Sequence, residues 1–224
     1  MSLDIYLNYL LIAFLTITSP GAAILLAINN AMRLNLRAVL YSTLGNLLGL
    51  LLLSTVAMLG VGVVLQTSPT FYQLFKWLGG AYLVYLGIGQ IRNDHTHLVL
   101  GDTTKKSDFN AWHLFRKGFL VAATNPKPIL FFGAVFPLFM DQTRSAWVQF
   151  TIMTGTFLAI SFASLMFYGY LSTRAKAWFF DALKLRWFYR ISGVAFILMG
   201  IGLAVLGCPY TKTSSMARGS AILP

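Results

Sequence analysis

A lone lysine, Lys127, stands inside the apolar run Gly118 to Met140, between two prolines in the order Asn125-Pro126-Lys127-Pro128. An unpaired ammonium at bilayer depth costs a few kcal/mol on insertion scales, so such a cation normally faces a cavity and serves a function. Lys127 is about nine residues from Gly118, roughly 14 Å along a helix at 1.5 Å per residue, which places it near a midplane. The chemistry that fits is pairing with the anionic group of a small solute. The structural alternative is pairing with carbonyls freed by Pro126 and Pro128.

A second proline breaks another apolar run. Thr18-Ser19-Pro20-Gly21 lies within Ile5 to Met32. Proline removes a backbone donor and clashes with the preceding turn. The polar groups it strands at membrane depth can be satisfied only by protein or a wet cavity. A helix that restarts after the break offers free N–H groups and the positive end of its dipole, which suits a carboxylate. One break alone would read as a packing kink. Two at matching places in two halves of a chain point to a transporter's binding site. The residues expected to line it are Thr18, Ser19, Pro20 and Gly21 at the first break, Thr124, Asn125, Pro126 and Lys127 at the second, and Asn46 on the second span.

The six acids, Asp4, Asp94, Asp102, Asp108, Asp141 and Asp181, all lie outside the middles of the apolar runs. A carrier of inorganic cations or a carboxylate proton relay would need one there. Coupling to protons therefore falls to Asp141, near the outer end of the fourth span, to Asp4, or to Lys127 itself. His95 and His97 form an H-x-H pair, but a stable metal site needs three or four ligands, so a solvated loop is the better reading. No nucleophile and base come together, with His113 in the same loop and far in depth from Ser19 or Cys208. The chain reads as neither an enzyme nor a metal or cofactor protein. The single cysteine excludes an internal disulfide.

These residues need a membrane scaffold to position them. The chain is 57% hydrophobic and 10% charged, with mean hydropathy +0.71, where a soluble domain carries roughly 25% charged residues. It reads as all-α and integral to the membrane, with spans at roughly 5–32, 39–65, 71–91, 118–140, 146–171 and 188–208. Lys76, inside the third, is expected to extend its ammonium to the surface. The N-terminus lacks a basic segment before its apolar run, so that run is expected to stay as the first span. Gly45 and Gly49 give the second span a small face for close contact, and Gly79, Gly80, Gly87 and Gly89 thin the third. Trp77, Tyr82, Tyr85, Trp112, Trp147, Trp178 and Trp187 fit interfacial anchoring, with a cavity-lining role for Tyr82 and Tyr85 ranked second.

The net charge of +11 comes from residues between spans, so it speaks for cytoplasmic loops and against nucleic acid. Twelve basic residues fall in the inner segments and four in the outer ones if both termini lie outside. The division is 1–91, a first three-helix repeat; 92–117, a cytoplasmic linker; 118–208, a second repeat; and 209–224, a polar tail. Three spans per half make the repeats inverted, with Pro-broken first and fourth helices. Aligning the prolines at an offset of 106 pairs Thr18 with Thr124, Ser19 with Asn125, Leu15 with Val121 and Ile24 with Leu130.

Taken together, Ser19-Pro20-Gly21, Gly45 with Gly49, Leu78 to Gly87, Gly118-Phe119-Leu120, Asn125-Pro126-Lys127, Phe131-Phe132 and Pro137-Leu138-Phe139 resemble the LysE/RhtB family of bacterial amino-acid exporters. The resemblance covers about residues 5 to 205. Ala22 stands where the family usually has a second proline, and Leu138 where it commonly has Gln. The resemblance implies a multi-pass protein of the bacterial plasma membrane that exports an amino acid or derivative from the cytoplasm, driven by the proton-motive force. The partners are then a small amino-acid substrate and lipid, with a homo-oligomer possible in principle. Lys127 and free helix N-termini would hold the carboxylate, and Thr18, Ser19, Thr124 and Asn125 the rest. The lack of a buried acid favours a neutral homoserine- or threonine-like solute. The alternatives are export of basic amino acids and a non-transporting scaffold subunit.

Overall fold

The structure is a computed structural model that describes residues 1–19, 21–65, 69–92, 109–140, 144–174 and 182–205. Helix α1 (Leu3–Thr18) and helix α2 (Ala22–Arg33) are two halves of one bent element, followed by α3 (Leu36–Leu65) and α4 (Pro69–Arg92). Then α5 (Ala111–Thr124) and α6 (Pro126–Leu130) continue through a π-helical turn, Phe131–Val135, and a 3₁₀ turn, Phe136–Phe139. The chain ends with α7 (Ala146–Arg174) and α8 (Ala182–Val205). No strand occurs among the described residues.

By length and apolar composition, α3 and α7 can each cross a bilayer. So can α1 with α2, and α5 with Pro126–Phe139, each pair bent by 48° at its break. Helices α4 and α8 have 24 residues each, about 36 Å at 1.5 Å per residue. They are long enough, but their described residues fall short of the same apolar standard. Helix α5 starts at Ala111, inside the segment read as a linker, because Asn110 Oδ1 accepts the His113 N–H at 3.0 Å and starts the helix early. Arg116 and Lys117 lie exposed on that added stretch.

The exterior is unlike that of a soluble protein, and polar side chains share the interior with an apolar core. Leu7, Leu11, Phe14, Leu48, Leu52, Val56, Leu198 and Ile201 are exposed, while Thr16, Asn46, Ser54, Gln90, Gln149, Thr154 and Ser161 are buried. An apolar exterior that keeps polar side chains inside is what lipid selects. Trp77, Tyr85, Trp112, Trp147 and Trp187 lie on the outer surface, as anchors should. Tyr82 departs from that group and is buried.

Close helix pairs set the frame. Helices α3 and α5 run side by side in parallel, Gly118 against the backbone of Ser42, Gly45 against that of Phe115 and Gly49 against Ala122. Helices α4 and α8 run antiparallel, with Gly80 opposite Gly200 and Gly87 opposite Gly193. Helix α7 packs on α1, α2 and α3. Pro137 accounts for the turn before it: it cannot donate to the Gly133 carbonyl, and the helix widens into the π form there. The phenylalanines of this segment join Tyr9 and Phe157 in a ring cluster, with Phe132 and Phe157 centroids 4.8 Å apart.

Candidate functional site

The helix break after Thr18 strands carbonyls at the end of α1, and three carbonyls here have partners. The Ser19 N–H closes onto the Leu15 carbonyl at 3.1 Å. Tyr168 of α7 donates to the Thr18 carbonyl at 2.9 Å. Lys127 Nζ donates to the Ser19 carbonyl at 2.9 Å, across 108 residues. The Ser19 hydroxyl is held by Gln90 Nε2 of α4. Elements from both halves of the chain therefore meet at this one break.

The second break is tied down in the same manner. Asn125 Oδ1 accepts the Lys127 N–H at 3.0 Å and caps α6. Tyr82 of α4 donates to the Lys127 carbonyl at 2.8 Å. The lysine amine thus pairs with a carbonyl at the opposite break, not with one freed by Pro126 or Pro128.

Between the breaks lies a cavity of about 60 Å³, room for a small cluster of waters. Its polar wall is Thr16, Ser19, Asn46, Asn125, Lys127 and Ser161, and its apolar wall includes Leu50, Ala122, Phe157 and Leu165. Gly21 lines it too and caps α2 without a side-chain acceptor, so the first N–H groups of α2 have no side-chain cap. Phe157 is shared between this wall and the ring cluster.

Of the residues expected at the site, Ser19, Gly21, Asn46, Asn125 and Lys127 are brought together around the cavity. Thr18 and Thr124 do not line it. Their hydroxyls bond back to the Phe14 and Leu120 carbonyls, each at 2.7 Å and each four residues earlier. Threonine near a helix end makes this local bond readily. Pro126 starts α6 and is exposed beside the cavity. Pro20, Asp141, and the His95–His97 pair lie outside the described residues, as does most of the 92–117 segment and all of 209–224. No group of three or more potential metal ligands occurs among the described residues.

The family model for LysE type translocators matches residues 14–207. The chain belongs to this family. An uncharacterized membrane protein of Vibrio cholerae is 33% identical over 176 residues, 79% of this chain and 83% of its own. The homoserine/homoserine lactone efflux protein of Salmonella typhimurium is 28% identical over 209 residues, covering 91% of this chain and 98% of its own. The leucine efflux protein of Salmonella choleraesuis is 29% identical over 163 residues, covering 72% and 76%. No solved structure matches the chain. Membership in a translocator family agrees with the reading that the chain is not an enzyme.

Four polar residues of this LysE-type translocator escaped the reading of its sequence, Ser161 of the cavity wall among them. Gln90, Tyr168 and Thr16 lie at the first break or in the cavity wall. Gln90 carried a signal, since an amide in the last turns of an apolar helix needs a partner. Tyr168 and Thr16 carried none: a tyrosine or threonine in a span is ordinary until its contacts are known.

Proposed function

We propose that this translocator exports a neutral amino acid of homoserine, threonine or short aliphatic type from the cytoplasm, using the cavity between the two breaks. The observation that carries the reading is the Lys127–Ser19 bond. It sets a cation on one side of a polar cavity and the uncapped start of α2 on another. Both favour a carboxylate. Homoserine and leucine, the amino acids in the names of two Salmonella relatives, point the same way. Among the described residues, the cavity wall holds no carboxylate, which favours a neutral solute over a basic one. A scaffold subunit would have no use for a cation placed in a polar hollow.

The reading includes six spans in two inverted repeats, with both termini outside. Support comes from relations at the offset of the prolines. Thr18 and Thr124 make the same backward bond, and the two broken elements bend alike. Gly87 abuts Gly193 and Ile197, while Gly193 abuts Gly87 and Ile91; both Gly87 with Gly193 and Ile91 with Ile197 are 106 apart. Arg33, Arg92 and Arg174 each end a helix that would finish on the inner side.

Efflux of radiolabelled amino acids from vesicles loaded with a mixed panel tests the function. Purified protein should accelerate efflux of a neutral amino acid, and Lys127→Met should abolish it while inserting normally. Unchanged efflux in that variant, or faster efflux of lysine and arginine than of neutral solutes, would overturn the reading. Drive by the proton-motive force belongs to the same proposal. A protonophore should then abolish accumulation against a gradient.

A further inference from the structure

The pairing of Lys127 with the Ser19 carbonyl has an unusual composition. A cation on a long flexible chain meets the backbone carbonyl of Ser19, and both residues line the cavity. The neighbouring Thr18 carbonyl is held instead by Tyr168, whose helix packs directly on α1 and α2. Of the partners of these two carbonyls, Lys127 is the one that can withdraw by bending its own long side chain.

We propose that the Lys127–Ser19 bond is an internal stand-in for the transported solute. An α-amino acid inserts into it, its carboxylate taking the Lys127 ammonium and its own ammonium taking the Ser19 carbonyl. This rests on the exporter reading and adds a requirement to it: both charged ends of the solute must be free.

The surroundings have the matching polarity. The end of α1 presents carbonyls, the negative pole of a helix, and the start of α2 presents uncapped N–H groups, the positive pole, within one turn of chain. An α-amino acid carries its opposite charges on one carbon and fits such a doublet. A further group awaits a partner in the same wall. Thr16 is 3% exposed, lines the cavity, and its Oγ1 has no hydrogen-bond partner. A buried hydroxyl without a partner is unfavourable, and a bound polar solute would relieve it.

The exchange leaves the Lys127 amine and the Ser19 carbonyl each with a hydrogen-bond partner in either state. Without solute, the lysine and the carbonyl satisfy each other. With a zwitterion, each has a new partner. A solute with only a carboxylate takes the lysine but strands the Ser19 carbonyl at membrane depth. A solute with only an ammonium displaces the lysine and sets two cations face to face. The site therefore discriminates through the group left unpaired, the strongest form of rejection available to a polar pocket.

Counterflow into vesicles containing the full-length protein tests this. Labelled leucine, threonine and homoserine are the probes. The competitors are the same amino acids unlabelled, their amides, their N-acetyl forms and homoserine lactone. The expected result is competition by the parent amino acid, with every one-ended analogue at least tenfold weaker. If N-acetyl forms compete as well as their parents, the Ser19 carbonyl holds no ammonium and the stand-in is wrong, while the exporter reading stands. If amides or the lactone compete as well as their parents, Lys127 holds no carboxylate and the stand-in is equally wrong. If none of the three labelled amino acids enters, the exporter reading itself fails and takes the inference with it.

Discussion

Gly87 and Gly193 face each other where α4 crosses α8, so closely that neither has space for a side chain. A methyl group on Gly87 would sit 2.5 Å from the Gly193 carbonyl oxygen, and one on Gly193 would sit 2.7 Å from that of Gly87. Gly87→Ala or Gly193→Ala should each destabilise the protein by about 1–3 kcal/mol, the usual cost of overpacking. The double variant should cost less than the sum, because one separation of the helices relieves both overlaps. Thermal unfolding in detergent reads this. Melting temperatures unchanged in both single variants would refute the close crossing.

Glycines elsewhere provide an internal contrast. A methyl on Gly45 would overlap the Phe115 carbonyl, and one on Gly118 that of Ser42. Gly60 and Gly89 have no atom within 4 Å of the same position. Gly45→Ala should force α3 from α5 and lower yield or melting temperature sharply. Gly60→Ala should be neutral or stabilise by up to about 1 kcal/mol, since alanine is the better helix former. Equal effects in the two variants would show that α3 and α5 do not pack as described.

Much of this arrangement was legible in the sequence, for physical reasons that can be assigned. Apolar length gave the helices, because lipid leaves a chain few other options. Pro126 and Lys127 marked the second break, because both are costly in a span without a purpose. The placement of Ser19, Gly21, Asn125 and Lys127 around one hollow follows from the two breaks facing each other. Thr18 and Thr124 were misjudged as cavity residues because spacing cannot say which way a hydroxyl turns. Each finds a carbonyl on its own helix before it finds the cavity. Helix α5 begins upstream of the apolar run because apolarity marks the span and not the helix, which Asn110 starts earlier. Tyr82 looks like its neighbour Tyr85, yet one is buried and the other 70% exposed, a difference set by the packing of α4 and invisible in a string of residues.

That difference can be measured. Tyr82→Phe removes the hydroxyl at 2.8 Å from the Lys127 carbonyl, which keeps the Phe131 N–H, and Tyr168→Phe removes the hydroxyl at 2.9 Å from the Thr18 carbonyl. Tyr168→Phe should cost about 1–3 kcal/mol, as for a buried acceptor that loses its partner, and Tyr82→Phe about 0.5–1.5 kcal/mol, the net worth of one hydrogen bond. Tyr85→Phe should be silent. Melting curves of the three variants, with Tyr85→Phe as reference, test whether the breaks are held by α4 and α7.

The last prediction separates residues that face the solute from those that merely adjoin it. Thr16 and Asn46 line the cavity, whereas Thr18 and Thr124 do not. Thr16→Val and Asn46→Leu keep approximate size but remove polar groups from the wall. Both should reduce efflux at least tenfold without loss of protein from the membrane. Thr18→Val and Thr124→Val remove only a local helix bond, and spans tolerate that change well. Their efflux should stay within about twofold of the parent. The mutations are conservative in volume, so a fall in folding yield would not mimic the pattern: protein in the membrane is quantified for each variant and rates are taken per molecule. Were Thr18→Val and Thr124→Val to abolish efflux while Thr16→Val and Asn46→Leu spared it, the solute would have to pass on the other face of the breaks, and the cavity beside Lys127 would not be its path.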